Sequence, residues 1–363
     1  MSKLRLAIIA VLCCVLAEAA LGVDPPTSQT ALKNVQLDSS NLRVHFIDVG
    51  GGLAMLIETP GDRQHIFIDG GDRGGKELSR YVLKFVRKSE PIDILVVTHA
   101  DQDHYLGAKK ILKGYDVRQF WNTGYRHPNI NKPNSGWEKF LEQVRHEHGC
   151  EIYMPLDDYV EAGEYEVIDD RNTEDEDDDV YVVYLNVDKE PPAVDPVSHR
   201  KVKESPRRNN ASLVFKLVYG SVSFLITGDI NGRPEELEEP ADDEEINSKE
   251  YELLQRHRQS EEYSLKATVL QVPHHGSNGS SSLPFLKAVD PEWAVIPAGD
   301  RHGHPTLAAL RRLKKADLPP THILTTDQGD DETKEKDEPP GDDSFIFETD
   351  GATITAIHWV KIE

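Results

Sequence analysis

A dense cluster of potential metal ligands stands at residues 99–104 of this sequence, which read His-Ala-Asp-Gln-Asp-His. Four side chains that can bind metal, those of His99, Asp101, Asp103 and His104, therefore fall within six residues. On an irregular loop, such spacing can turn alternate side chains toward two neighbouring ions. Imidazole and carboxylate together suit zinc, manganese or iron, and a larger share of carboxylate favours manganese. The cluster is therefore the first candidate metal site.

The same residues could instead form a capped helix start, with Asp101 or Asp103 as the N-cap and the histidines on the surface. The preceding segment, residues 92–98, is a nearly continuous apolar run typical of a buried strand. Bringing a buried strand up to so many charged groups costs free energy, and a bound ligand readily offsets that cost. The metal interpretation is therefore favoured.

Two later apolar runs also end in potential ligands. Asp229 follows one of them and could be a carboxylate that bridges two ions, or an ordinary turn aspartate. His274 and His275 follow the other. Adjacent side chains point apart, so at most one of these two histidines is expected to bind metal directly, while its neighbour orients a ligand or contacts substrate. His304, between Gly303 and Pro305, is a further candidate or a turn histidine.

Short β-rich runs alternate with helical spacing on both sides of these residues, and they form two successive β-rich halves. Sheets that each have an apolar face must bury it, so this pattern predicts an α+β fold in which two sheets pack face to face with helices outside. The end of one buried strand in each half would then deliver ligands to a common site.

Seven motifs resemble, in their order, those of the metallo-β-lactamase superfamily, and specifically those of the hydrolase domain of the ComEC competence family. The similarity covers residues 42–360. The motifs are Asp48-Val-Gly, Ile68-Asp69-Gly-Gly, Thr98-His99-x-Asp101-x-Asp103-His104-x-x-Gly107, Asn209-Asn210-x-Ser212-Leu-Val, Thr227-Gly-Asp229, Pro273-His-His-Gly-Ser277 and Gly303-His304-Pro305.

The resemblance implies a four-layer αβ/βα sandwich with two packed mixed β-sheets, outer helices, and a site for two divalent ions, zinc or manganese. By motif position, one ion would be bound by His99 and Asp101, the other by Asp103, His104 and His275 (rather than His274), with Asp229 bridging the two. The sequence also departs from the family pattern. The second histidine of the superfamily motif is Asp101 here, and Asn209 or Asn210 replaces the histidine of the third motif. Both changes weaken the first metal site.

The resemblance favours hydrolysis of phosphodiesters by a metal-activated water, hence a phosphodiesterase or nuclease. Asp103 could orient that water or accept its proton, and His275 or His304 could stabilise negative charge or protonate the leaving group. Two alternatives stay open: a non-catalytic binding module on the same fold, and an esterase for small molecules such as lipid or sugar phosphates. Candidates for supporting the ligands or contacting substrate are Asp48, Asp69, Asn209, Asn210, His274 and Ser277.

The formal net charge of −23 is concentrated in acidic segments. These segments, near 169–208, 232–262 and 327–343, are predicted to be loop insertions because they offer little to bury. The remainder is close to neutral and has no obvious basic stripe for nucleic acid, so a nucleic acid partner is possible but charge does not support it. A short basic run at 200–208 could meet a phosphate backbone or be a solvated loop.

The first 19 residues are predicted to be a signal peptide, since Lys3 and Arg5 precede an apolar run and Ala17-Glu18-Ala19 forms a cleavage signal. An uncleaved anchor is the alternative, although the apolar run is short for a membrane span. The predicted organisation is then a linker at 20–41 and one hydrolase domain at 42–363, exported to the periplasm or the extracellular space. No later segment has a long enough apolar run to cross a membrane.

Overall fold

The computed structural model describes residues 30–31, 37–61, 64–71, 76–126, 132–133, 135–153, 163–169, 179–234, 244–260, 263–299, 303–326 and 344–361. The predicted signal peptide and the acidic segment 327–343 lie outside these residues. The predicted linker at 20–41 includes one short strand, Thr30–Ala31, which pairs in parallel with the last strand of the chain. Within the described residues, no helix has the length and apolar character needed to span a membrane.

One sheet is built from the two ends of the chain and its first half. Its strands are β1 (Thr30–Ala31), β2 (Leu42–Phe46), β3 (Ala54–Glu58), β4 (His65–Asp69), β5 (Ile92–Val96), β6 (Val117–Trp121), β7 (Glu151–Tyr153), β15 (Ser344–Thr349) and β16 (Ile354–Lys361). Their order is β1-β16-β15-β2-β3-β4-β5-β6-β7. The pairing is antiparallel from β16 to β4 and parallel from β4 to β7.

The other sheet is built from the second half and has a similar plan. Its strands are β8 (Tyr165–Asp169), β9 (Val180–Asn186), β10 (Val214–Tyr219), β11 (Val222–Ile226), β12 (Val269–Gln271), β13 (Trp293–Ile296) and β14 (Ile323–Thr325). Their order is β14-β13-β12-β11-β10-β9-β8. The pairing is antiparallel from β8 to β11 and parallel from β11 to β14. Each sheet thus changes from antiparallel to parallel pairing near its middle.

The described part of the chain contains seven α-helices, and all but the fourth pack on the outer faces of the sheets. They are α1 (Lys76–Phe85), α2 (Gln102–Gly114), α3 (Gly136–His146), α4 (Glu204–Asn210), α5 (Ser248–Gln259), α6 (Leu283–Val289) and α7 (Leu307–Lys315). The amphipathic spacing of α3, for example, buries Trp137, Phe140 and Val144 on one side of the helix.

The molecule has four layers, two sheets between two layers of helices, and an apolar core lies between each pair of adjacent layers. The central core packs the two sheets together and contains side chains from both, such as Phe46 and Trp121 of one and Phe224 and Trp293 of the other. A second core lies between the first sheet and α1 to α3, and a third between the second sheet and α5 to α7. The predicted α+β sandwich, with two mixed sheets and outer helices, is confirmed.

The predicted acidic insertion near 169–208 is wrong in part, because it includes a core strand. In β9 the side chains of Val180, Val182 and Tyr184 are buried in the central core. The dense acidic run before this strand hid its apolar pattern. The predicted insertion near 232–262 likewise contains α5, whose Leu253 lies in the third core.

Candidate metal centre

Four strand ends, two from each sheet, meet at the candidate site. Asp69 is the last residue of β4, and His99 follows β5 in the same sheet. Asp229 follows β11, and His275 follows β12 in the other sheet. In both sheets these are the carboxyl ends of neighbouring parallel strands, beside the point where the pairing changes. Open mixed sheets bind ligands at such positions.

Helix α2 starts at the site and carries two further donors. Asp103 and His104 lie in its first turn, and Asp101 occupies the N-cap position. The Asp101 side chain accepts no capping hydrogen bond within the described residues. A helix therefore does begin here, as the alternative interpretation required, but capping does not explain the carboxylates. His104, moreover, is fully buried, so it is not a surface residue.

Four side chains form one compact group of possible ligands. One ligand atom from each of Asp103, His104, Asp229 and His275 lies within 4.8 Å of all the others. The Oδ2 atom of Asp229 is 3.2 Å from Nε2 of His104 and 3.2 Å from Nε2 of His275. Nε2 of His275 is 3.6 Å from Oδ2 of Asp103. Two imidazoles and two carboxylates suit zinc or manganese.

Both histidines of this group present the same nitrogen to its centre. Nδ1 of His104 donates to Oδ2 of Asp69 at 2.8 Å, and Nδ1 of His275 donates to the Pro297 carbonyl at 2.7 Å. Their Nε2 atoms are buried and have no hydrogen-bond partner among the described residues, and the same holds for Oδ1 of Asp229. Histidine ligands of metals are held in this way, with the second nitrogen donating to a carboxylate or carbonyl. The residues therefore fit a divalent ion.

The histidines and carboxylates of the group strongly stabilise each other's charged forms. Burial lowers the pKa of His275, but Asp229 and Asp103 outweigh that effect and raise it to about 10. Burial also disfavours charged His104, yet Asp229 and Asp69 raise its pKa well above the usual value. Conversely, these histidines hold the pKa of Asp229 well below its usual range against the effect of burial. The carboxylates thus favour positive charge at the centre of the group, which protons on the two histidines or a divalent cation could supply.

The backbone is strained at three positions around the group. Asp69, His274 and His275 have φ values of 58°, 50° and 55°, in the left-handed region that non-glycine residues rarely adopt. Such strain persists where the surrounding structure enforces it, and it is common at functional sites. Here it turns the side chains of Asp69 and His275 toward the metal-binding group.

The donors predicted for the other ion are arranged differently. Nε2 of His99 is buried, 3.9 Å from Oδ2 of Asp101 and 3.9 Å from Oδ2 of Asp229. Asp101, however, forms an ion pair with Arg208 of α4, whose Nε contacts Oδ1 and whose Nη2 donates to Oδ2 at 3.3 Å. Burial raises the pKa of Asp101 to about 6, although Arg208 opposes that rise. His99 and Asp101 are thus near the four-residue group without belonging to it.

A cleft opens beside the group. Asp103, His275 and His304 line it, together with the loop residues Gly51 and Gly52. Asp48 shapes this loop because its Oδ1 accepts a hydrogen bond from the Gly50 amide at 2.8 Å. His304 is therefore placed where it could reach a substrate, and Asp48 supports the wall of the cleft.

The other predicted candidates hold the site together. Both nitrogens of His274 contact amide groups, Nδ1 with Oδ1 of Asn231 at 3.2 Å and Nε2 with Nδ2 of Asn209 at 3.4 Å. Asn210 donates to Oγ of Ser248 at 2.7 Å and accepts from the Asn231 amide at 3.0 Å. These contacts favour His275 over His274 as the ligand.

Ser277 is buried, and its hydroxyl contacts the hydroxyl of Ser280 at 3.4 Å. It is not among the residues that line the cleft. Its position indicates a role in the turn after β12 rather than contact with a substrate.

Two residues of the site were missed by reasoning from the sequence. Thr98 donates through its amide and hydroxyl to Asp69, at 2.8 and 2.7 Å, and so fixes the carboxylate that orients His104. Arg208 was seen only as part of a basic run, and its pairing with Asp101 spans 107 positions of the chain. The position of Thr98 directly before the His99 motif could have indicated its role. No feature of the sequence indicated the role of Arg208.

The metallo-beta-lactamase superfamily model matches residues 47–300. The chain is 28% identical over 310 residues to ComE operon protein 3 of Bacillus subtilis (strain 168), covering 80% of this chain and 32% of that protein. It is 34% identical over 108 residues to Competence protein ComA of Neisseria gonorrhoeae, covering 29% of this chain and 13% of that protein. Igni18, a metallo hydrolase from Ignicoccus hospitalis KIN4/I, is 14% identical with a TM-score of 0.42, over 85% of this chain and 99% of that chain.

The chain thus spans a third or less of the length of these two curated relatives. Both are ComEC-like competence proteins, so the resemblance noted from the motifs is confirmed. The superfamily match extends over more than half of the chain and includes His99, His104, Asp229 and His275. The chain belongs to the metallo-beta-lactamase superfamily.

Proposed function

We propose that this protein is a metal-dependent hydrolase of phosphodiesters, of the phosphodiesterase or nuclease type. The observation that carries the proposal is the group of Asp103, His104, Asp229 and His275. Buried atoms of His104, Asp229 and His275 converge there without hydrogen-bond partners among the described residues. A binding module would have no use for such an arrangement, since each buried polar atom without a partner costs free energy.

The four side chains would hold a zinc or manganese ion. When bound, the ion supplies Lewis acidity, which lowers the pKa of a water molecule enough to make it a nucleophile near neutral pH. Asp103 is the most exposed of the four, with 32% of its side chain accessible. It is therefore the residue best placed to orient that water as well as to bind metal. The second ion expected from the family resemblance has a less complete set of donors in His99 and Asp101.

His304 would act as the proton donor to the leaving group. It lines the cleft with Asp103 and His275, so a substrate held there would contact all three side chains.

One of the relatives is a competence protein by name, which favours a phosphodiester substrate over another ester. The formal net charge of −23 does not favour tight binding of long nucleic acids. We therefore expect cleavage of single-stranded DNA and of small phosphodiesters, with modest affinity and a marked dependence on salt.

The test is turnover of bis-p-nitrophenyl phosphate and of single-stranded DNA by protein that begins at residue 20, with Mn²⁺ or Zn²⁺ added. We expect activity that requires metal and that falls by at least about 100-fold in His104→Ala and Asp229→Asn. Asp93→Asn is a matched control, because Asp93 is a buried carboxylate that pairs with Arg118 and the His65 amide instead of the site.

Three results would change the proposal. Absence of activity with every metal, together with absence of bound metal, would favour the binding module. Turnover of the small phosphodiester alone would favour an esterase for small molecules. Equal activity in the wild type and His104→Ala would exclude the metal-binding group as the active site.

We also propose that the protein is exported, on the strength of the charged and apolar pattern at residues 1–19. Expression of the full-length gene followed by mass measurement of the mature chain tests this. Cleavage after about residue 19 in the periplasm or the medium is expected, whereas an intact N-terminus in the cytosol would contradict export.

A further inference from the structure

The guanidinium of Arg208 lies on the side of the site where the first metal ion is expected. Its Nε and Nη2 atoms contact the two carboxylate oxygens of Asp101, and its Nη1 donates to Glu204 at 2.9 and 3.1 Å. Glu204 is one turn earlier on α4, so the helix itself holds the guanidinium in place. Only 18% of the Arg208 side chain is exposed.

With Asp101 engaged in this way, too few donors remain for an ion at that position. His99 keeps one other carboxylate neighbour, Asp229, at 3.9 Å. Catalytic metal sites of this kind take three protein ligands, with the remaining position left to water or substrate. Two donors, one of them shared with the four-residue group, fall short of that number.

Asn210, at the position of the missing third-motif histidine, does not supply the lacking donor. Its oxygen accepts hydrogen bonds from the amide and the side chain of Asn231, and its nitrogen donates to Ser248. Asn209 contacts His274 through Nδ2. The Oδ1 atom of Asn209 is buried without a hydrogen-bond partner among the described residues, but an amide oxygen has no negative charge and does not replace the carboxylate that pairs with Arg208. Among the histidine, cysteine, aspartate and glutamate side chains of the described residues, three or more come together as potential ligands at one place, which is the group of Asp103, His104, Asp229 and His275.

Electrostatics point the same way. Arg208 is permanently charged, and its Nε and Nη2 atoms face the two carboxylate oxygens of Asp101 as an ion pair. A divalent ion bound to the same carboxylate would have to displace the guanidinium or lie within a few ångströms of it, and like charges repel strongly at that distance.

We propose that this protein binds a single divalent ion and that Arg208 supplies the positive charge that a second ion provides elsewhere in the superfamily. The proposal rests on the metal site of the proposed function but goes further, because it fixes the number of ions and names the residue that sets it. Arg208 acts through Asp101, so it is a positioning residue.

The experiment is a metal count on the purified protein, stripped with chelator and titrated with Mn²⁺. Elemental analysis after removal of weakly bound ions gives the stoichiometry, and electron paramagnetic resonance distinguishes isolated Mn²⁺ from a coupled pair. For the wild type we expect one equivalent per chain and the spectrum of an isolated ion.

Substitution of Arg208 should then allow a second metal ion to bind beside His99 and Asp101. In Arg208→Gln, Asp101 is released, so His99, Asp101 and Asp229 become three donors. We expect this variant to take up a second equivalent of Mn²⁺ and to show exchange coupling. Arg207→Gln is the matched control, since Arg207 is the preceding residue of α4 and contacts the Pro191 carbonyl instead of the site. It should keep one equivalent.

Each outcome has a distinct meaning. Two tightly bound equivalents in the wild type would overturn the single-ion proposal and leave the hydrolase proposal intact. A wild type that binds no metal would overturn both. One equivalent in both the wild type and folded Arg208→Gln would overturn the role of Arg208. Arg208→Met serves as a second variant if Arg208→Gln is unstable. One equivalent without phosphodiester turnover would leave this inference standing and contradict the proposed function alone.

Discussion

At the scale of single residues, the sequence predicted which side chains gather at the site but not how each is held. The types and positions of His99, Asp103 and His104 after a buried strand were sufficient to expect metal binding. The hydrogen bond that Nδ1 of His104 donates to Asp69 turns Nε2 of His104 toward the site, and it depends on a contact between residues 35 positions apart. Spacing along the chain carries no information about such a contact, and the same is true of Arg208.

The role of Asp69 leads to a first prediction. Asp69→Asn removes the negative charge that fixes the orientation and raises the basicity of His104, while the metal-binding group itself stays unchanged. We expect the dissociation constant for Mn²⁺ or Zn²⁺ to rise about 10- to 100-fold, as for other supporting carboxylates. Titration calorimetry measures this directly. Asp93→Asn should leave the constant unchanged, and an equal constant for Asp69→Asn and the wild type would contradict the assignment.

At the scale of elements, the local sequence pattern predicted strands and helices well where apolar runs are separate from charged residues. It predicted them poorly where many charged residues are adjacent. Strand β5 and helix α2 were expected from the apolar run and the spacing that follows it. Strand β9 and helix α4 were missed because acidic and basic residues surround them in the sequence. Helix α4 has only seven residues and is stabilised by its packing against the site, which periodicity cannot reveal.

The approach of α2 to the end of β4 gives a second prediction. A Cβ atom on Gly107 would lie 1.6 Å from the carbonyl oxygen of Gly70, so any larger residue must push the helix away from the strand. We expect Gly107→Ala to lower the free energy of unfolding by about 1–3 kcal/mol and to weaken metal binding, because Asp103 and His104 move with the helix. Chemical denaturation and metal titration measure the two effects.

Gly114→Ala, at the other end of the same helix, is the matched control for that substitution. A Cβ atom there would meet only the flexible end of Lys88, at 3.0 Å. Since alanine favours helix more than glycine does, this variant should be neutral or slightly more stable. A Gly107→Ala variant as stable as Gly114→Ala would show that the contact between α2 and β4 is not tight.

A third prediction concerns the buried carboxylate of Glu250 in α5. Its oxygens accept hydrogen bonds from the amides of Ser281 and Ser282, at 2.6 and 2.9 Å, and from the Ser282 hydroxyl at 2.6 Å. These bonds tie α5 to the turn that precedes α6. Burial nevertheless outweighs them and raises the pKa of Glu250 from 4.5 to about 6. The folded state thus binds this proton more tightly than the unfolded state does.

The contribution of Glu250 to stability should therefore be greatest below pH 4.5 and should decline as pH rises through about 6. Compared with Glu250→Gln, the wild type should lose about 2 kcal/mol of its free energy of unfolding across this window. Urea denaturation of both proteins at about pH 4 and about pH 7.5 measures the difference. Glu252→Gln, on the same helix, is the control that leaves the serine contacts intact. A difference that stays constant with pH would refute this explanation.

At the scale of the whole molecule, two β-rich halves were enough to predict two packed sheets, because each sheet must bury an apolar face. The order of the strands within each sheet could not be predicted from the sequence. The last strands, β15 and β16, return to join the first sheet beside β2, and this pairing joins residues about 300 positions apart. Alternation along a strand shows that one face is buried but does not show which strand lies beside it.

This architecture makes the metal centre a link between the two halves, which gives the last prediction. Asp103 and His104 belong to the part of the chain that forms the first sheet, and Asp229 and His275 belong to the part that forms the second sheet. An ion that binds only the folded protein stabilises it by about 4 kcal/mol when its free concentration is about 1,000 times the dissociation constant. For a domain of roughly 320 residues, that gain corresponds to a rise in Tm of about 6 °C.

Differential scanning calorimetry of the wild type with chelator and then with excess Mn²⁺ measures this rise. Asp229→Asn supplies the control, because it removes a carboxylate that contacts both histidines of the group at 3.2 Å and should abolish most of the response to metal. Since the donors converge from both sheets, chelation should also lower the stability of the two halves together, in one transition. A wild-type Tm that does not respond to metal would mean that the group is not occupied in solution, whereas an equal rise in Asp229→Asn would place the bound ion elsewhere.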